Sequence, residues 1–438
     1  METPNIPPAE GSAMYDAIVV GARCAGSPTA MLLARRGYRV LLVDKATFPS
    51  DAISTHYLHY PAIARLDRWN LLDRVLKTGA PVIDRITWGM GDVYITGTAP
   101  EWDGKRFAVA PRRKVLDKIL LDAAVEAGAE LHEGFTVEEI LRDGDRAVGI
   151  RGRERDGTEV VAHAPIVIGA DGIHSLVAST FQPAEQSGTP PLTAVWYTYW
   201  QGTDVDHLIF TRLDGRELFL VPTNDDCVNV MVGWREHEFH EFRKDIEGNY
   251  HATLDLFPEL AARVRKGRQV EPFYGTKQTR QWMRHPYGPG WVLVGDAGYH
   301  KDPIAGIGIS DAFRQVEVLV EAVDDGLSGR RDMAEALAGY HAWRDESFSE
   351  VFEYYHRAAT LDMLPPEMLQ VIDSLRYDET ERDRFMGIVG GFTSFKEFFS
   401  PENCQRILAR AAEAGGLRET GGRTADSAWG DWTPGQSR

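Results

Sequence analysis

With 438 residues, 43% of them hydrophobic and 26% charged, the chain has the composition of a soluble globular protein and more length than one ordinary domain needs. A formal net charge of −17 without a Lys/Arg-rich block excludes phosphate-backbone binding, so nucleic acid is no expected partner. The lack of any apolar run of about 18 residues excludes a membrane-spanning helix. Cys24, Cys227 and Cys404 are too scattered for a disulfide framework, which fits a reducing cytoplasm.

Residues 1–13 carry no basic region and no apolar core, so they read as a disordered lead-in and not as a signal peptide. The pattern that follows is strand–turn–helix–strand: DAIVV, GARCAG, SPTAMLLARRGY and RVLLVDK. Both apolar runs are short and uninterrupted, as strands buried on two faces of a parallel sheet should be. Ala30, Leu33 and Ala34 share a helical face, and Gly37 is the expected stop. A second helix is predicted in RRKVLDKILLDAAVEAGAEL, with Val115, Ile119, Ala123 and the Val125–Ala127 stretch as its apolar stripe. The buried run APIVIGADG comes next.

From Pro190 to Pro272 the character changes. TAVWYTYW and ELFLVP alternate and are rich in aromatics, which predicts an antiparallel sheet. GWVLVGDAG then returns to the first style and feeds a helix in which Ala312, Val316, Leu319, Val320 and Val323 share a face. The order predicts an α/β protein. Its Rossmann-like nucleotide domain comprises 14–80, 105–185 and 275–330. An inserted antiparallel β-sheet substrate domain takes 81–104 and 186–274, and a helical C-terminal region takes 331–414. Residues 415–438 read as disordered.

Two motifs carry chemistry. Gly21-Ala22-Arg23-Cys24-Ala25-Gly26 sits between a strand and a helix, where a tight turn and a helix N-terminus can hold a pyrophosphate. Asp44, followed by Lys45, ends the second strand, where a carboxylate can accept from a ribose diol. Arg23 replaces the fingerprint's second glycine, so it either holds a compatible backbone or shifts the nucleotide. Gly295-Asp296 follows a buried strand, and Pro303, Gly306, Gly308 and Ile309 lead into a helix. Backbone N–H groups there can meet a ring edge that gains negative charge.

With Arg113 in RRKVL and Asp171-Gly172 in VIGADGIHS, four motifs stand in one order. On these residues the chain resembles the p-hydroxybenzoate hydroxylase-like (group A) FAD-dependent monooxygenases over roughly residues 14–330, least between 190 and 275. The resemblance implies a GR2-type FAD-binding fold. It implies that Gly21, Arg23, Ala25 and Gly26 surround the pyrophosphate, with Arg113 alongside, and that Asp44 and Lys45 meet the adenosine ribose. Gly295 and Asp296 would bind the ribitol, and Pro303, Gly306, Gly308 and Ile309 the flavin. Asp171 is linked to both FAD and NAD(P)H, but Leu176, Val177 and Ala178 stand where the family usually has a basic residue, which leaves NADH versus NADPH open.

The implied chemistry is hydride transfer to FAD, reaction with O2, and oxygen transfer from a flavin C4a-hydroperoxide. The substrate would be an aromatic or polycyclic small molecule, hydroxylated or epoxidised in secondary metabolism. A homodimer and a separate reductase are both compatible with it. A flavin-dependent halogenase and a geranylgeranyl-reductase-type enzyme share the motifs, although no W-x-W-x-I-P segment occurs. A non-catalytic flavin-binding protein is the reading from outside enzymology.

Catalytic residues are not fixed by these motifs. His56, Tyr57, His59, Tyr197, Tyr199, Tyr299 and His300 are candidates, each equally readable as structural. Trp196, Tyr197, Tyr199 and Trp200 alternate, so one face of their strand could wall a flat ligand. His237 and His240 have no third metal ligand nearby and read as a solvated charged helix, so no metal is expected.

Overall fold

The computed structural model describes residues 13–277 and 279–415. The remaining residues of the two termini, expected to be disordered, lie outside the described residues. Strand β1 (Ala17–Val20) leads through the glycine turn into helix α1 (Gly26–Arg35) and strand β2 (Val40–Asp44). Helix α2 (Tyr60–Arg68) precedes a hairpin of β3 (Ile86–Met90) and β4 (Val93–Gly97). Helix α3 (Arg113–Glu126), β5 (Glu130–Glu133) and β6 (Val167–Gly169) return to the first layer. Then come β7 (Thr193–Gln201), β8 (Leu208–Leu213), β9 (Arg216–Thr223) and β10 (Cys227–Arg235). Strand β11 (Trp291–Leu293) and helix α4 (Gly308–Leu327) rejoin the first layer, and α5 (Met333–Ala358) opens the C-terminal helices.

The first sheet runs β11-β6-β1-β2-β5, all parallel, with Tyr287–Gly288 as an antiparallel edge. Strand β1 is apolar throughout because both of its faces are covered. Ala17 and Val19 pack with α1, α3 and α4, while Ile18 and Val20 pack with Ile140 and Ile150 of a separate four-stranded sheet. The predicted faces of α1 (Ala30, Leu33, Ala34) and α4 (Ala312, Val316, Leu319, Val320, Val323) are buried.

The predicted stripe of α3 needs correction. Leu116, Leu120, Ala123 and Ala124 form the buried side, whereas Val125 is 47% exposed. The helix is rolled so that the Asp117 carboxylate faces inward beside Leu116 and Leu120, where it anchors two arginines. That polar requirement overrides the apolar count.

The second sheet runs β7-β10-β9-β8-β3-β4, antiparallel except for the β8–β3 pair. Tyr274–Thr276 adds to β7, and Gln281–Arg284 joins a third small sheet with Glu185–Thr189 and Tyr299–His300. Alternation on β7 sorts its aromatics. Trp196 stacks on Phe242 at 3.8 Å and Trp200 donates to the Tyr250 hydroxyl at 3.2 Å, in a core closed by helices Ile246–Asp255 and Pro258–Val264. Tyr197 and Tyr199 face the other way, with Phe219 and Met231. Helix α5 is tied down by the Tyr340 hydroxyl, which donates to the Leu293 carbonyl at 3.1 Å. The helices after it cover Trp88 and Ile95 with Phe385, Met386 and Ile407. No helix among the described residues is long and apolar enough to cross a membrane.

Candidate functional site

Two cavities share one wall residue, Gly306. The larger, about 780 Å³, begins at the glycine turn. Gly21 has φ +100°, and a Cβ there would lie 2.4 Å from the Ala170 carbonyl oxygen. A Cβ on Gly26 would lie 1.7 Å from the Gly21 carbonyl oxygen. Only glycines let β1, α1 and the end of β6 close up in this way. Asp44 fixes the far side of the turn, accepting from the N–H groups of Ala22 and Ala46, each at 2.7 Å. Lys45 and Ala25 line the same end.

Arg23 does not need left-handed backbone. Its guanidinium leaves the turn, donating to Asp117 at 2.6 Å and to the Ser50 hydroxyl at 2.9 Å. Arg113 donates to both Asp117 oxygens, at 2.9 and 3.0 Å, and the Cys24 thiol donates to the same carboxylate at 3.2 Å. Burial pushes the Cys24 thiol well above its usual range, so it stays protonated. Asp117, fully buried, therefore organises two of the expected cofactor residues, Arg23 and Arg113. The sequence reading missed it; the i,i+4 spacing from Arg113 was the available signal.

At the other end stand Gly295, Asp296, Pro303, Gly306, Gly308 and Ile309. Gly306 has φ +62°, and nothing stands within 4 Å of where a Gly308 Cβ would be, so the first turn of α4 is open toward the cavity. Asp302 caps the short turn Pro303–Ala305, accepting from Ile304 N–H at 3.0 Å and from the Thr193 hydroxyl at 2.6 Å; burial pushes its carboxyl up to about 6. The Gln315 side-chain oxygen accepts from Gly295 N–H at 3.2 Å. Asp171 accepts from Leu176 N–H at 2.6 Å through one oxygen, while its other oxygen is buried without a partner, and burial raises its carboxyl.

The smaller cavity, about 280 Å³, shares Gly306 with the first. Strand residues Trp88, Met90, Leu208, Phe210 and Phe219 wall it on one side, and Tyr354, Tyr355 and Leu364 on the other. Arg212 is its buried cation, paired with Glu217 at 3.2 Å and with the Asp362 carbonyl oxygen at 3.2 Å. Burial outweighs that pairing and pushes the Glu217 carboxyl up to about 8. Sequence periodicity could not expose this cavity, because strands and a helix end hundreds of residues apart build it.

The catalytic candidates separate. Tyr197, Tyr299 and His300 line the larger cavity, and His59 lines the smaller. His56, Tyr57 and Tyr199 line neither. His56 Nε2 lies 2.5 Å from the Tyr199 hydroxyl, and Tyr57 packs edge-on to His59 with ring centroids 4.3 Å apart. Burial drives both His56 and His59 down to about 3, with the nearby Lys301 charge adding to the effect on His59, so both imidazoles are neutral. His300 is held by a 2.6 Å contact with the Arg280 carbonyl oxygen. His237 and His240 fall on the turn Glu236–Glu238 and the short helix Phe239–Phe242, and no group of three metal-capable side chains occurs among the described residues.

The profile of a family described as FAD binding domain matches residues 14–353. The chain belongs to that family. It is an FAD-dependent oxidoreductase, and the larger cavity fits FAD: two crowded glycines cradle one end, an open helix N-terminus faces the other, and Asp171 carries an orphaned acceptor between them. Three relatives diverge in reaction. Tryptophan 2-halogenase of Chondromyces crocatus is 25% identical, matching 74% of this chain and 63% of its own length, so this chain spans less than two thirds of it. Digeranylgeranylglycerophospholipid reductase 1 of Methanopyrus kandleri is 27% identical over 82% of this chain and 94% of its own. Kynurenine 3-monooxygenase of Salinispora arenicola is 25% identical over 75% of each. Among solved structures, the flavin-dependent brominase Bmp2 shares the fold with TM-score 0.74 at 18% identity, covering 92% of this chain and 99% of its own.

Proposed function

We propose that this protein is an FAD-dependent monooxygenase that uses NAD(P)H and O2 to hydroxylate a small aromatic molecule. The observation that carries the reading is the second cavity, about 280 Å³ with aromatic walls, which shares the wall residue Gly306 with the cofactor cavity. A volume near the low end of ligand pockets suits one or two rings and is too small for a pair of geranylgeranyl chains. Trp88, Phe210, Phe219 and Tyr354 offer flat faces to hold a ring against the Gly306 side. Arg212, paired with Glu217 outside the cavity lining, supplies the polar edge, and neutral His59 adds a group that can hydrogen-bond a phenol without charge repulsion. Asp44, Arg113, Asp171 and Asp296, with the glycines of both turns, would hold FAD. Bound FAD supplies the redox chemistry, taking electrons from NAD(P)H and passing them to O2. The protein's own work is to orient the ring and exclude water.

The test is aerobic NAD(P)H oxidation by the FAD-loaded protein across a panel of phenols and fused-ring aromatics, with ¹⁸O2 and product masses recorded. A ligand that stimulates oxidation and gains one labelled oxygen is the expected result. A product that needs bromide or chloride would replace this reading with a halogenase, and saturation of a carbon–carbon double bond without O2 would replace it with a reductase.

A further inference from the structure

A buried ion pair stands in the wall of the cofactor cavity. Lys301 Nζ is hydrogen-bonded to Asp311 Oδ2; the two side chains are 3% and 5% exposed, and both residues line the cavity. Lys301 follows the Tyr299–His300 strand, and Asp311 lies in the first turn of α4, whose N-terminus opens toward the same space at Gly308. The ammonium lies 5.2 Å from the Tyr299 ring centroid and 5.4 Å from that of Tyr355, which places it on the partition between the two cavities. Two further charges border the pair: Arg314, 3.9 Å from the other Asp311 oxygen, and Asp296 in the cavity wall.

Such a pair is a poor way to gain stability. Burying both ions costs desolvation that well-packed apolar side chains of the same size would avoid. Burial pulls the lysine below its usual range, and Asp311 offsets that by holding the charged form. Asp296 also favours the charged form of the lysine. The positive end of α4 and the ammonium then act on the same space, with Asp311 as the opposing term.

We propose that Lys301 and Asp311 are a charge-setting pair for the cofactor, Lys301 favouring and Asp311 opposing the negative charge that FAD gains on reduction. The proposal concerns the cofactor alone and holds whichever reaction the second cavity supports.

The experiment measures the midpoint potential of FAD bound to wild type, Lys301→Met, Lys301→Arg and Asp311→Asn, by dye-coupled reduction without substrate. The potential reports the ratio of affinities for reduced and oxidised FAD, about 30 mV per tenfold for a two-electron couple. Lys301→Met is expected to lower that ratio by tenfold or more, moving the potential more negative. Asp311→Asn is expected to raise it by a similar factor, and Lys301→Arg to stay within threefold of wild type. The opposite signs are the signature, since a merely structural pair would give shifts of one sign or none. Shifts of the same sign, or ratios within threefold of wild type for both neutralising variants while FAD remains bound, would overturn the proposal. Should Lys301→Met fail to fold, Asp311→Asn is compared with Lys301→Met/Asp311→Met. Removing both charges must then give a smaller shift than Asp311→Asn alone; an equal or larger one overturns the proposal.

Discussion

Arg23 Nη1 lies 2.6 Å from Asp117 Oδ2, and this contact explains how a dinucleotide turn tolerates arginine where its second glycine usually stands. The side chain is drawn out of the turn by a carboxylate on α3, so the backbone keeps its course. The same carboxylate takes both donors of Arg113. Removing it strands two guanidinium groups at the glycine-turn end of the cavity.

Asp117→Ala is therefore expected to destabilise the protein by about 3–5 kcal/mol, the range for losing one member of a buried ion pair. It should also weaken FAD retention through gel filtration. Asp117→Asn keeps the shape and one acceptor and should lose less on both counts. Denaturant unfolding with the FAD content of the purified protein decides; wild-type stability in Asp117→Ala would show that the arginines find other partners.

Gly26 is the second test of the turn. A methyl group there meets the Gly21 carbonyl oxygen at 1.7 Å, a backbone atom that cannot step aside without moving β1. Gly26→Ala should weaken FAD binding at least tenfold, read by quenching of flavin fluorescence. Gly308→Ala, with open space around its Cβ, should leave the fold intact and act only if the cofactor occupies that space. Equal losses in both variants would contradict this reading of the two ends.

What the sequence reveals and what it hides divide along physical lines. The unbroken apolar runs of β1 and β2 are legible because both faces of that sheet are covered, and the faces of α1 and α4 because apolar helix–sheet packing sets their period. The side of α3 is misread because Asp117, a charge, belongs to its buried face. Lys301–Asp311 and Arg212–Glu217 look like ordinary surface charges in a chain of net charge −17 until the fold buries them. His56, Tyr57 and Tyr199 are readable from their types alone as reacting or as structural groups; none of them lines either cavity, and burial keeps His56 neutral.

The second cavity can be narrowed without touching the first. Leu364 is a half-buried wall residue on the segment after α5, and it does not line the cofactor cavity. Leu364→Trp should leave FAD affinity within twofold of wild type and raise the KM of a stimulating aromatic more than tenfold. If KM is unchanged while the variant folds and holds FAD, the aromatic binds elsewhere.

The pair of Arg212 and Glu217 sets a pH dependence whose sign can be worked out. Burial raises Glu217 from an ordinary 4.5 to about 8 in the folded chain, against the pull of Arg212. Below 4.5 both folded and unfolded chains hold the proton, and the contribution to stability is fully present. Between 4.5 and 8 the unfolded chain releases it while the folded chain keeps it, so stability falls as pH rises, by at most about 1.4 kcal/mol per pH unit. Above 8 the contribution is gone. Asp302, raised to about 6, adds a slope of the same sign at the acid end of that window. Glu217→Gln keeps an acceptor for Arg212 but has no proton to lose, so its stability should decline less than wild type between pH 5 and pH 8. Urea unfolding of both proteins at pH 5, 6.5 and 8 measures the difference. Parallel curves would mean that Glu217 is ionised in the fold and that Arg212, not burial, governs the pair.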